Sequence, residues 1–270
     1  MPEITAVFWL IKVLTTGMGE AASDYLAAVS LVLAGAVGLL GFVIAMWLQL
    51  GTERYVAAVY WFAVAMVAVF GTMAADALHV GLALPYAFST AFYAVVLGIV
   101  FFLWYRSEGT LSIHSIVTRR REVYYWVTVL VTFALGTAAG DLTAVSLNLG
   151  YLASGVLFAV VIAVPAVLWW RFGLNEVVAF WFAYVITRPL GASFADWLGK
   201  PRSRSGIGMG DGRVTIAAAV AIVLLVSYVA LRRNDIQPAI EPDISPAHAP
   251  AASTHDLQID TVRAEPALEG

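Results

Sequence analysis

The sequence has 270 residues, of which 61% are hydrophobic and 12% are charged, and its formal net charge at pH 7 is -3. Soluble globular domains carry about 25% charged residues, so this composition, with a mean hydropathy of +0.85, indicates a protein embedded in a lipid bilayer. The charge does not suggest binding to nucleic acid, and the lack of cysteine excludes disulfides, thiolate metal ligands and cysteine nucleophiles.

Eight apolar segments follow one another along the chain, each close to the length of about 20 residues that a helix needs to cross a bilayer. The first contains Lys12 and lacks the positive charge that precedes the apolar part of a signal peptide, so it is predicted to be a retained helix. The predicted spans cover approximately residues 4–20, 27–50, 55–73, 81–104, 123–138, 146–170, 174–190 and 214–231. The predicted fold is an all-α polytopic membrane protein with eight transmembrane helices.

The eight spans fall into pairs, and every pair repeats one motif, in which Trp is followed ten positions later by Gly and five positions after that by Asp. The four copies are Trp9, Gly19 and Asp24; Trp61, Gly71 and Asp76; Trp126, Gly136 and Asp141; and Trp181, Gly191 and Asp196. The pattern indicates tandem repeats at about residues 4–54, 55–106, 119–171 and 174–232. Because each repeat contains two spans, all copies enter the membrane in the same direction, around an axis along the membrane normal.

Parallel repeats place all four Gly/Asp segments at one membrane face and the charged connections at the other. The second face carries more Lys and Arg, among them Arg54, Arg106 and the run at 119–121. By the positive-inside rule this face and both termini are predicted to be cytoplasmic, in a bacterial inner membrane. Residues 233–270, rich in proline, alanine and charge, are predicted to form a disordered cytoplasmic tail.

The sequence resembles a bacterial integral-membrane family. The resemblance lies in the four tandem two-span repeats with a fixed tryptophan and in the segments "TTGMGEAASDYL" and "ITRPLGASFADWLGKP". That family is built from the repeat known as domain of unknown function 347. The resemblance covers about residues 5–232. It implies a repeat architecture but neither an activity nor a ligand, so the functional hypothesis depends on the residues themselves.

Up to residue 210 the chain contains four aspartates, and all belong to the motif: Asp24, Asp76, Asp141 and Asp196. Ionisable residues near hydrocarbon tend to face a bundle interior or a water-filled cavity and mark an ion path. Fourfold repetition would set the carboxylates around one axis at one level, as in the acidic rings of cation pores. The pattern predicts a binding site for a hard cation such as Mg²⁺, Ca²⁺, Mn²⁺ or Na⁺.

Four further side chains near the motif glycines are candidate binding residues. Glu20 directly follows the first motif glycine and would add a fifth carboxylate. Thr72 and Thr137 directly follow the motif glycines of the second and third repeats. Arg188, just before the fourth glycine, departs from the repeat symmetry, as does Lys12 in the first helix. Each of these two cations is expected either to snorkel to an interface or to pair with a ring carboxylate and tune its charge.

Two interpretations of the motif stay open at this point. In the structural one, each glycine ends a helix in the left-handed conformation and each aspartate caps the next helix. In the functional one, the aspartates line the outer mouth of a pathway. The motif tryptophans are expected to anchor the membrane interface or to pack the repeats together.

The sequence favours a membrane transporter of a small solute, with a cation, including a divalent metal, as the expected cargo. The alternatives are a transporter of a small organic solute and a non-transporting membrane scaffold or sensor. No nucleophile with a nearby base emerges, so neither an enzyme nor a resident cofactor is expected. The expected partners are the lipid bilayer and the solute, without nucleic acid, and the oligomeric state is left open.

Overall fold

The computed structural model describes residues 1–232, with only the backbone of Val80, and the predicted tail at 233–270 lies outside this part of the chain. Its helices are α1 (Ala6–Val29), α2 (Leu31–Gly51), α3 (Ala57–Asp76), α4 (Tyr86–Glu108), α5 (Arg119–Asp141), α6 (Gly150–Phe172), α7 (Glu176–Gly199) and α8 (Asp211–Arg232). No β-strand occurs within residues 1–232. The predicted all-α fold with eight long helices is therefore confirmed.

Seven of the eight helices described are long and apolar enough to cross a membrane, and α1 is the exception. It has 24 residues, but the charges of Lys12, Glu20 and Asp24 lower its hydropathy. Lys12 and Glu20 are only 1% and 4% exposed, so α1 directs these charges toward protein and away from lipid. The chain is a multi-pass membrane protein whose first helix carries two buried charged side chains.

The odd-numbered helices form an inner ring, and the even-numbered helices surround it. Helix α1 packs against α3 and α7, and α5 packs against the same two helices, which closes the ring. In the most apolar 18-residue segment of α3, α5 and α7, 56% of the residues are buried inside the protein. In the even-numbered helices the corresponding share is 17–22%. The even helices expose large apolar residues such as Val32, Trp47 and Leu224, as a lipid-facing layer must.

The motif glycines lie within the inner helices, at the points where neighbouring helices approach most closely. Each glycine faces the next helix of the ring: Gly19 faces Ala68, Gly71 faces Phe133, Gly136 faces Arg188 and Pro189, and Gly191 faces Thr16. A Cβ atom at any of these positions would collide with the facing helix. Small residues at helix crossings allow this contact between membrane helices, so the four glycines hold the ring together.

The prediction that these glycines end their helices is wrong. The glycines with positive φ in the described chain are Gly109, Gly150, Gly173, Gly208 and Gly210. The inner helices continue past the motif glycines to the ends given above, so the odd spans predicted from hydropathy stop three residues too early in α3 and α5 and nine residues too early in α1 and α7. The physical reason is that a residue without Cβ serves a close helix crossing as well as a left-handed turn.

The aspartates also do not cap the even helices. Asp24 and Asp196 lie inside α1 and α7, whereas Asp76 and Asp141 end α3 and α5. The latter two precede single turns of π-helix at Ala77–Gly81 and Leu142–Ser146, and neither makes a side-chain capping hydrogen bond there. The capping interpretation of the motif is therefore wrong, and the carboxylates are available for another role.

Candidate functional site

A cavity of about 510 Å³ opens at the end of the bundle where the inner helices carry the motif aspartates, here called the aspartate end. Its carboxylate lining consists of Asp24, Asp76, Asp141, Asp196 and Glu20. Each inner helix contributes one aspartate, and α1 adds Glu20 one turn deeper. The structure thus brings all four motif aspartates and Glu20 around one hollow, as the sequence predicts.

Three of these carboxylates form a compact group. Glu20, Asp24 and Asp196 each offer an oxygen within 4.8 Å of the others. Asp196 is 4% exposed, and its Oδ1 atom has no hydrogen-bond partner among the described residues. Like charges held this close are unfavourable without cations beside them. Arg188 pairs with Glu20 and Lys200 pairs most closely with Asp24, and the Asp196 oxygen without a hydrogen bond makes the group a candidate cation site.

Asp76 and Asp141 complete the acidic lining from the other two inner helices. Both are half-buried, and within residues 1–232 neither has a side-chain hydrogen bond or an ion pair. Carboxylates without protein partners keep their oxygens free for a ligand. Tyr86 and Tyr151, which the sequence analysis did not single out, also line the cavity.

Lys200 is a cationic residue of the cavity lining that the sequence analysis did not single out. It follows the last residue of α7, and its Nζ atom lies 2.5 Å from Asp24 Oδ2, 3.8 Å from Asp196 Oδ1 and 3.6 Å from Asp211 Oδ2. Burial alone would lower the pKa of Lys200, but the three carboxylates raise this pKa above its ordinary value. Lys200 therefore stays charged at neutral pH and acts as a tethered cation beside the acidic group.

Replacing Lys200 by glutamine is expected to tighten Mn²⁺ binding at the aspartate end about tenfold, or roughly 1.4 kcal/mol. The tethered ammonium repels an entering cation and occupies Asp24, and the variant removes both effects. Titration calorimetry of the purified full-length protein measures the change. Arg202→Gln, on an exposed turn nearby, is the matched control, and unchanged or weaker binding by Lys200→Gln would contradict the assignment.

Below the aspartates, a buried ion pair fills the axis of the ring. Arg188 is fully buried, and its Nη2 atom donates to Glu20 Oε2 at 2.6 Å, to Thr137 Oγ1 at 2.7 Å and to Thr72 Oγ1. Its Nη1 atom donates to the Thr16 carbonyl at 2.8 Å. Arg188 pairs with Glu20 and does not snorkel to an interface. It connects all four inner helices directly behind Glu20, which lines the cavity.

Repeat symmetry explains why the fourth helix supplies the arginine. Glu20, Thr72 and Thr137 occupy the slot after the motif glycine, and the fourth repeat has Ala192 there. The small alanine leaves the axis free for Arg188, which lies about one turn away along α7. The one repeat without a polar group in this slot thus provides the donor for the other three.

The motif tryptophans lie away from the acidic cavity. Trp61, Trp126 and Trp181 are 3–5% exposed. Each contacts an aromatic ring of the preceding repeat, Phe8, Tyr60 and Tyr125 respectively, and the ring centroids of Trp9 and Phe180 lie 5.8 Å apart. None of the four lines the cavity at the aspartate end. Their contacts are those of residues that pack neighbouring repeats together.

The family comparison agrees with this division of the chain. Four tandem segments, residues 7–55, 59–110, 124–174 and 179–235, match the family model described as Repeat of Unknown Function (DUF347). Each segment contains one Trp/Gly/Asp motif. No curated protein and no solved structure matches the chain. With most of its length covered by four copies of this repeat, the chain belongs to the DUF347 repeat family.

Proposed function

We propose that the protein is a membrane transporter of a small cation, bound by the motif aspartates. The single observation that carries this proposal is the convergence of Asp24, Asp76, Asp141, Asp196 and Glu20 on one cavity. Ionisable residues at membrane depth are costly, and a purely structural role would not require four aspartates to share a hollow. The proposed orientation has the aspartate end outside and both termini in the cytoplasm.

The composition of the site favours a divalent metal ion. Five carboxylates line the cavity and only two cationic side chains do, Lys200 and Arg204, while Arg188 pairs with Glu20 from behind. Hard divalent ions such as Mg²⁺, Ca²⁺ and Mn²⁺ take oxygen ligands, and the compact group of Glu20, Asp24 and Asp196 offers three.

The buried ion pair of Arg188 and Glu20 supports a carrier and not an open channel. Arg188 and its hydrogen bonds occupy the axis directly below the cavity. A bound cation and the Arg188 guanidinium would compete for Glu20, because both are attracted to the same carboxylate. Passage of the cation therefore requires Arg188 to release Glu20, which gives the protein two alternating states.

The cavity also supports a second candidate cargo, a small organic amine. Its volume of about 510 Å³ lies in the range of small-molecule sites. Tyr86 and Tyr151 line it together with the carboxylates, and aromatic faces attract organic cations. Choline is therefore the second probe in the test of the proposal.

The test is uptake by liposomes that contain the purified protein. We expect inward flux of at least one of Mg²⁺, Ca²⁺, Mn²⁺ and Na⁺, and we expect each Asp→Asn substitution in the motif to reduce this flux at least about tenfold, since loss of one charged ligand costs more than roughly 1.4 kcal/mol. Glu176→Gln, an exposed carboxylate at the other end of α7, is the control.

Two outcomes overturn the cation assignment. One is normal flux through all four asparagine variants. The other is uptake of choline with none of the inorganic cations, which would identify the organic amine as the cargo. Absence of any uptake by the wild-type protein would favour the scaffold or sensor alternative.

A further inference from the structure

Lys12 lies at the centre of the bundle without a hydrogen-bond acceptor. Its side chain is 1% exposed, and its Nζ atom has no hydrogen-bond partner among the described residues. The Nζ atom lies 4.3 Å from the ring centroid of Phe133 and 4.0 Å from that of Tyr184. Ring faces stabilise an ammonium less well than water or a carboxylate does, so charging this amine is costly.

The guanidinium of Arg188 makes a positive charge on Lys12 still more unfavourable. Arg188 Cζ lies 5.2 Å from the centroid of the same Phe133 ring, so one aromatic ring contacts both positive side chains. The corresponding positions of the second and third repeats hold Val64 and Val129. An apolar residue at this position would satisfy packing as well as valine does in the other two repeats. We therefore expect the lysine to have a chemical role.

A row of tyrosine hydroxyls begins beside Lys12. The Tyr184 Oη atom lies 3.4 Å from Tyr125 Oη, which in turn hydrogen-bonds to Tyr60 Oη. The three side chains come from α7, α5 and α3 and are at most 2% exposed. Because each hydroxyl can donate one hydrogen bond and accept others, the row can pass a proton from one member to the next.

The row ends at a second cavity, at the opposite end of the bundle. This cavity has a volume of about 480 Å³, and its lining includes Tyr60, Gln49, Glu122 and the N-terminal Met1. Gln49 Nε2 donates to Glu122 Oε1 at 2.9 Å, so the lining carries ordered polar groups. A polar route thus leads from this cavity through three hydroxyls to the residue that contacts Lys12.

We propose that Lys12 is a proton-binding site, connected to the second cavity by the hydroxyls of Tyr60, Tyr125 and Tyr184, and that cation binding releases its proton. The inference rests on the proposed cation transport and deepens it to a coupling of cation binding with proton release. When a cation occupies Glu20, Arg188 loses its counter-charge and repels the Lys12 ammonium. The lysine side chain turns from the Tyr184 ring face toward the Tyr184 hydroxyl, one N–H bond of Nζ breaks, and Nζ keeps the electron pair. The Tyr184 hydroxyl accepts this proton and passes its own along the row to water in the second cavity.

Few other groups can determine the charge of Lys12. Helix α7 contributes Arg188 and Tyr184, α5 and α3 contribute the other two tyrosines of the row, and α1 itself contributes Glu20 two turns away. Helix α2 has no ionisable side chain, and those of α8 lie toward its two ends: Asp211, Arg213, Tyr228 and Arg232. Arg188 and Glu20 are therefore the groups that couple the cation site to Lys12.

The test measures protons released when Mn²⁺ binds to the purified full-length protein in weak buffer with a pH indicator. Metal ligands themselves release protons, so wild type is compared with Lys12→Met, which keeps the length of the side chain. We expect wild type to release about one proton more per bound Mn²⁺ than this variant. Lys12→Gln, which also lacks a titratable amine, is the second variant if the methionine variant does not fold.

The hydroxyl row is tested in liposomes with a trapped pH indicator. Tyr125→Phe keeps the ring and removes the central hydroxyl, so we expect Mn²⁺-driven proton movement to slow about tenfold, or roughly 1.4 kcal/mol in the barrier. Tyr93→Phe is the matched control, because its hydroxyl donates to the Ala74 carbonyl at 2.7 Å outside the row. Equal rates for the two variants would exclude the row as the proton route.

The outcomes separate this inference from the proposed function. Mn²⁺ binding with equal proton release by wild type and both Lys12 variants overturns the proton site and leaves cation transport intact. Failure of wild type to bind Mn²⁺, Mg²⁺, Ca²⁺ or Na⁺ overturns both. Release of one more proton by wild type than by either Lys12 variant supports the coupling of cation binding to proton release from Lys12.

Discussion

Replacing Arg188 by methionine is expected to lower the free energy of unfolding by about 3–5 kcal/mol, because removing one partner leaves a buried charge without compensation. The partner is Glu20, which is 4% exposed and accepts the hydrogen bond from Arg188 Nη2 at 2.6 Å. The substitution also removes donors to Thr72 and Thr137. Three inner helices thus lose their shared contact with α7.

Thermal unfolding of the purified protein in detergent, followed by tryptophan fluorescence, measures this loss, and we expect the midpoint to fall by roughly 10 °C. The double variant Arg188→Met/Glu20→Gln is the matched control, because it removes both charges and keeps an amide near the two threonines. It should recover at least half of the lost stability. A single variant as stable as the wild type would show that the ion pair does not hold the ring together.

Valine at Gly136 is expected to prevent the inner ring from closing. A Cβ atom at this position would lie 2.5 Å from Arg188 Cβ and 2.9 Å from Pro189 Cδ, distances that two carbon atoms do not tolerate. The neighbouring backbone is helical on both sides, so relief requires α5 and α7 to separate. We expect a loss of more than about 3 kcal/mol, above the usual range for overpacked cores.

The yield of monodisperse protein in size-exclusion chromatography measures this effect, and we expect it to fall at least about tenfold for Gly136→Val, as the estimated loss implies. Gly98→Val is the matched control, since nothing lies within 4 Å of a Cβ atom at Gly98 in the outer helix α4. Equal yields from the two variants would mean that the motif glycines do not set the helix spacing.

The repeat allowed much of the architecture and of the site to be predicted. A motif spaced identically in four two-span units places its residues at equivalent points of the membrane, so the convergence of Asp24, Asp76, Asp141 and Asp196 follows from covalent repetition alone. The closure into a ring does not follow, because the contact of Gly191 with Thr16 joins the last repeat to the first. The spacing of the Trp/Gly/Asp motif along the sequence does not predict such a contact.

The remaining features depend on partners distant in sequence. Lys200 was missed because Asp24 and Asp211 reach it from other helices, although its position four residues after Asp196 was a usable signal. Lys12 stood out as an asymmetry, but its environment is made by Phe133 and Tyr184. Sequence patterns identify an unusual residue, and only the fold shows what surrounds it.

Cation binding by the chain in which all four motif aspartates are asparagine tests the central claim most directly. Asparagine preserves size and polarity and removes four charges from the cavity at the aspartate end. Titration of purified wild-type and fourfold-substituted protein with Mn²⁺ should show saturable binding in the first and at least a hundredfold weaker binding, about 2.7 kcal/mol, in the second. Equal affinity and stoichiometry in the two proteins would contradict the account.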